Sequence, residues 1–305
     1  MLNIRLLFVL SCVFNIVAAQ RPEFGTIDSL SIPSKWVGER TVSIWLPPNY
    51  PQDAPYAVVI MHDGQNIFDA RFSAYSHAEW KADEAVMSGM QNGDLPPTIL
   101  VGIWSKPDTR HGDYFPQSPF ETLDSLTQKS IFSSLRSNGA PYFPIQHIQS
   151  DAYLDFIEFE LLPHVHNHYQ CSDQVSQHII GGSSMGGLIS WYALSERPHL
   201  FGGAFCLSTH WTGVMDYEGN PIPGTFLTYL KTHIPDPKNH KLYFDYGTES
   251  IDAWYEKYQL PVDVMMTESG FNQHHYRSLK FEGHTHSETD WAKRLPHALS
   301  FLLKP

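Results

Sequence analysis

The sequence predicts an α/β fold, a mostly parallel, doubly wound sheet flanked by helices. Short apolar, β-branched runs recur along the chain, and stretches of helical periodicity lie between several of them. Some runs, such as Ala57-Val58-Val59-Ile60-Met61, are continuously apolar, as strands covered on both faces must be.

The expected strands fall at 42–46, 56–61, 98–104, 179–180, 203–207, 242–246 and 276–281. Helical spacing of Leu154, Ile157 and Leu161 predicts a helix over 153–168, with Pro163 as a kink. Further helices are expected over 188–194, ending at Arg197-Pro198, and over 291–303. Two connections, 105–147 and 209–240, are long and rich in Pro, Gly, Ser and aromatics. The first holds a possible helix over 125–135. Long loops beyond strand C-termini shape pockets in this architecture.

No linker divides the chain, so one domain is expected over 20–305. The first nineteen residues read as a signal peptide. A short n-region carries Arg5, an apolar stretch runs over 6–17, and Val17-Ala18-Ala19 offers a cleavage site before Gln20. That stretch is short for a membrane span. Val9-Leu10-Ser11-Cys12 resembles a lipobox, but the apolar run continues past Cys12. A secreted or periplasmic protein is therefore expected. Among 305 residues the formal net charge is −12, with basic residues scattered singly, which excludes nucleic acid and anionic membranes as partners. Cys171 and Cys206 are able to pair in an oxidising compartment, although Cys206 lies in an apolar run and reads as a buried filler.

The most informative segment is Gly182-Ser183-Ser184-Met185-Gly186, a Gly-x-Ser-x-Gly between an apolar run and a helix. A serine at a sharp strand-to-helix turn stands above the sheet edge, and the flanking glycines let neighbouring backbones pass. The register selects Ser184 as nucleophile. The Met185 amide, at the helix N-terminus, faces the place where an oxyanion forms. The run ending at Met61 leads into His62-Asp63-Gly64-Gln65, whose Gln65 amide is the expected second donor; His62 and Asp63 read as loop-holding groups. In the order Ser, acid, His, the base lies after the last strand, where His284 and His286 compete. The acid lies after the preceding one, where Glu249 and Asp252 are candidates.

Taken together, His62 to Asp69, Gly182 to Gly187, Tyr243 to Glu249 and Gly283 to Pro296 resemble the "putative esterase" family of α/β-hydrolases, from about Thr41 onward. Esterase D, feruloyl and acetyl-xylan esterases, siderophore esterases and mycolyltransferases belong to that group. The resemblance implies an α/β-hydrolase fold and a cofactor-free serine esterase. Its register, in which the base precedes a small polar residue, a Glu and then a Trp, implies His286. An acid shortly after the strand-ending glycine implies Glu249 over Asp252.

The expected reaction is hydrolysis of a small-molecule or carbohydrate-linked carboxylic ester through an acyl-enzyme. Acyl transfer to a sugar or lipid, or a non-catalytic carbohydrate- or siderophore-binding module, are the alternatives. Arg110 reads either as a ligand for an acidic or polyhydroxyl group or as a loop-anchoring ion pair. His210 and Trp211 follow the strand ending at Leu207 and are expected at the pocket, where Trp211 reads either as a stacking surface for a sugar or aromatic acyl group or as a core-packing residue. His164 and His168 share a helix face at zinc-site spacing. No acidic or cysteine ligand accompanies them, so a solvated helix end and no metal are expected.

Overall fold

The computed structural model describes residues 20–73 and 77–304, so the expected signal peptide lies outside the described residues. Eight strands form one sheet: β1 Thr26–Ile32, β2 Arg40–Leu46, β3 Ala57–His62, β4 Thr98–Ile103, β5 His178–Ser183, β6 Gly203–Leu207, β7 Lys241–Gly247 and β8 Tyr276–Phe281. Their order is β1-β2-β4-β3-β5-β6-β7-β8. β1 and β2 pair antiparallel, as do β2 and β4, and every pairing from β4 to β8 is parallel. This is the α/β-hydrolase fold.

The helices are α1 Ala82–Asn92, α2 Arg110–Tyr114, α3 Gln117–Glu121, α4 Ser125–Phe132, α5 Ser150–Phe156, α6 Leu162–His168, α7 Met185–Glu196, α8 Ile222–Thr232, α9 Glu256–Glu268 and α10 Glu288–Leu303. Two cores sandwich the sheet, and the pleat decides which residue joins which. Val58 and Ile60 of β3 pack with Tyr153, Leu154 and Leu188 on one face. Ala57, Val59 and Met61 pack with Val86 of α1 and Leu295 and Leu299 of α10 on the other. Both sides of each central strand are therefore apolar, which is why those strands were legible as continuous runs.

β1 was not expected from the sequence. Its residues TIDSLSI lie at the sheet edge, pair only with β2 and leave most side chains to solvent, so no apolar run marks it. The expected helix at 153–168 is α5 and α6 joined by one π-turn, Ile157–Leu161. Pro163 carries no N–H for the next helical bond, and the wider turn just before it accommodates that loss. The long connection 209–240, for which no helix was expected, contains α8.

Cys206 is buried in β6 and Cys171 is a free thiol near Val165, so the two do not pair and Cys206 is a filler of the core. His164 and His168 stack at 4.2 Å, and His168 Nδ1 is bonded to the His164 carbonyl. No described helix is long and apolar enough to cross a membrane.

Candidate active site

The parallel strands deliver their C-terminal loops to one edge of the sheet. β5 ends at Ser183, and Ser184 caps α7 with φ 56° and ψ −120°, a conformation that costs an L-residue about 1–3 kcal/mol. The turn is tight because backbones cross there. A Cβ on Gly182 would sit 3.1 Å from Gly186 Cα and 3.2 Å from His62 Cβ, and one on Gly186 would sit 3.3 Å from His62 Cβ. A side chain at either place would crowd its neighbours, which favours glycine at both ends of the motif.

His286 lies just ahead of α10, whose N-cap is Ser287. Its backbone N–H donates to Ser250 Oγ, and its ring stands edge-on to Trp291 at 4.8 Å. His286 Nδ1 is 2.6 Å from Asp252 Oδ1. The fully buried Asp252 also accepts from Ser208 Oγ at 2.6 Å and the Gly247 amide at 2.7 Å. Burial alone would raise its pKa. The hydrogen bond and charge of His286, with help from Ser208, outweigh that and hold the carboxyl below its ordinary range.

The residue beside His286 is therefore Asp252 and not Glu249. Glu249 is exposed at the end of β7, where its amide donates to the His284 carbonyl. The following 3₁₀ turn, Ser250–Trp254, starts with Ser250 at φ 56° and brings Asp252 inward. Gly247 is needed here too, since a Cβ would meet the His284 oxygen at 2.1 Å. His284 itself faces Asp290, with Nδ1 at 3.9 Å from its carboxylate.

Ser184, Met185 and His286 share one cavity of about 280 Å³ with Asp63, Asn66, Arg110, His111, Arg136, Tyr142, His210 and Trp291. Both long loops supply walls: the first gives Arg110, His111, Arg136 and Tyr142, and the second gives His210. Gln65 is not among the lining residues. Its side chain turns to Ser105, with bonds of 2.8 and 3.1 Å. In that turn the Asp63 amide donates to Tyr114 and the Asn66 amide to the Asp63 carbonyl. Gln20 braces the turn from beneath, its buried Nε2 donating to the carbonyls of Gly64 and Gln65.

Arg110 grips Asp63 through two 2.7 Å contacts, so of its two readings the loop-anchoring one describes this geometry. Trp211 is absent from the cavity. It is 1% exposed, stacked between Trp191 and Phe244, and its indole donates to Gln259, so of its two readings core packing describes it and substrate stacking does not. His210 does face the cavity. Its Nδ1 is 2.7 Å from the Tyr255 hydroxyl, and Tyr255 lies beside Ser184. Tyr255, Arg136 and Tyr142 went unnoticed in the sequence, since each sits in a loop with no motif of its own.

Burial, and then the charges of His286, Arg136 and Arg110, push His210 down to about 3. A histidine held neutral in the fold but free to protonate when unfolded contributes stability that is whole above pH 6.5 and is lost as pH falls toward 3. His210→Asn is therefore expected to flatten the loss of stability between pH 7 and pH 5 by about 2 kcal/mol. Chemical denaturation at the two pH values measures it, and an unchanged difference between them contradicts the assignment.

The model of the family described as "Putative esterase" matches residues 34–118 and 136–302. Protein YbbA of Bacillus subtilis (strain 168), itself uncharacterized, is 24% identical over 273 residues, which are 87% of this chain and 93% of YbbA. Among solved structures, an IroE-like serine hydrolase from Shewanella oneidensis superposes with a TM-score of 0.65 at 18% identity, over 91% of this chain and 80% of that one. The enterobactin esterase FES from Shigella flexneri gives 0.60 at 18% identity, and the match spans 93% of this chain but 60% of the FES chain. At these identities the superpositions show the shared fold.

Proposed function

Since the chain belongs to the "putative esterase" family, we propose that it hydrolyses carboxylic esters through an acyl-enzyme formed on Ser184. One observation carries the reading: the strained serine opens into the same cavity as His286, whose far nitrogen is held by a buried, ionised Asp252. In the proposed cycle the free nitrogen of His286 takes the Ser184 proton as the hydroxyl attacks the ester carbonyl. Asp252 fixes the tautomer and stabilises the imidazolium. The oxyanion is received by the Met185 amide and by an amide of the 64–66 turn, Gln65 in our assignment. The imidazolium then protonates the departing alcohol, and water, activated by His286, releases the acid.

The names of the structural neighbours, a serine hydrolase and an enterobactin esterase, support ester chemistry. At about 280 Å³ the cavity is at the small end for ligand sites, so it suits one arm of an ester, with the remainder lying over the long loops. We place the activity outside the cytoplasm, on the signal-like character of the first nineteen residues.

The test is a panel of chromogenic esters offered to the chain from Gln20 onward, followed in the first turnovers. A burst of about one leaving group per protein, with a matching gain in intact mass, is the expected result. Absence of turnover and of mass gain across the panel overturns the reading.

A further inference from the structure

Asp252 is held from behind as well as in front. The Ser208 hydroxyl, on a residue at φ 46°, lies 2.6 Å from Asp252 Oδ2, 2.9 Å from Arg294 Nη2 and 3.0 Å from Trp291 Nε1. Guanidinium and indole nitrogens only donate, so they occupy the lone pairs of Ser208 and leave its single proton to Asp252. With the Gly247 amide on the same carboxylate oxygen, Oδ1 is reserved for His286. Arg294 Nη2 also stands 3.6 Å from Asp252 Oδ2, beyond hydrogen-bond range but close for a charge. Its Nη1 is 3.0 Å from Asp245 Oδ1. All three charged side chains are at most 1% exposed.

We propose that Arg294 and Asp245 are positioning residues for the Asp252–His286 pair: Arg294 orients the Ser208 hydroxyl and lends positive charge to Asp252, and Asp245 sets how much of that charge reaches it. The inference rests on reading Asp252 and His286 as acid and base. One guanidinium serves two carboxylates away from solvent, so what one gains the other loses. Burial pushes the Asp245 carboxyl up to about 7 against the pull of Arg294, so this sharing changes near neutral pH. The other charged or titratable groups around these residues include His210, from the loop after β6, Tyr255, after the 3₁₀ turn, Glu288, at the start of α10, His284, from the loop after β8, and Tyr243 of β7, whose hydroxyl donates to Asp245 Oδ2 at 3.2 Å.

The two charges act on the His286 imidazolium with opposite signs, which separates this role from that of an ordinary core ion pair. Removing the positive charge in Arg294→Met is expected to raise the midpoint of His286 titration by roughly half a unit or more; removing the negative one in Asp245→Asn is expected to lower it comparably. Arg294→Met leaves Asp245 buried without its partner and is at risk of misfolding. The double variant Asp245→Asn/Arg294→Met carries neither charge. Its midpoint should return near wild type, while kcat stays down roughly tenfold because only the Trp291 indole is left to aim Ser208. Arg294→Lys restores charge without the second donor, and should bring back the midpoint more fully than kcat.

The midpoint is read by NMR of the His286 ring, which needs no substrate, and kcat on a chromogenic ester in parallel. A wild-type protein that turns over no ester defeats the esterase reading and still leaves the midpoints measurable. Folded Asp245→Asn with an unmoved midpoint, together with a double variant of wild-type kcat, overturns the proposal.

Discussion

Replacing Ser184 with alanine is expected to lower kcat for a chromogenic ester by about 10⁴- to 10⁶-fold. The substitution removes the attacking oxygen and leaves the oxyanion donors, so a small residual rate over water should survive. Substrate binding should change little, because the cavity walls remain. Stability offers a second reading of the same residue. Ser184 sits at φ 56°, where alanine is as strained as serine but glycine is not. Ser184→Gly should therefore be equally inactive yet more stable, by about 1 kcal/mol. Steady-state kinetics and denaturant unfolding of the two variants supply both numbers. A Ser184→Ala protein with wild-type turnover removes the nucleophile assignment.

Asp252→Asn is expected to cost about 10³- to 10⁴-fold in kcat/KM, because an amide in that place neither fixes the His286 tautomer nor stabilises the imidazolium. Glu249→Gln is the matched control. Its carboxylate is exposed at the end of β7, and only its backbone amide bonds to His284. We expect kcat/KM within about twofold of wild type, the usual scale for a surface charge. The reverse ranking would restore Glu249 and leave the buried contact between Asp252 and His286 without a catalytic role.

The sheet was readable because its central strands are apolar on both faces, and the motif around Ser184 because sterics favour its glycines: a Cβ on Gly182 or Gly186 would crowd His62. Edge strand β1 gave no such signal, since half-exposed Thr26–Ile32 resembles a polar loop. The choice between Glu249 and Asp252 depends on one backbone angle. Ser250 at φ 56° redirects the chain after β7, and no composition rule marks a serine in that conformation. Trp211 stayed open between its two readings for a related reason. Its neighbour His210 faces the cavity, but the indole turns back between Trp191 and Phe244, where burial of a large ring outweighs exposure to a pocket. Distant partners are the least legible of all: Tyr255 reaches His210 across 45 positions, and Arg294 reaches Ser208 across 86.

The assignment of Ser184 as an activated nucleophile is tested most directly by exposing the folded protein to a fluorophosphonate probe and locating the adduct by peptide mass spectrometry. The expected result is one adduct, on Ser184, lost in His286→Ala under the same conditions. A folded wild-type protein that stays unmodified, or that carries the adduct on Ser183 or elsewhere, contradicts it.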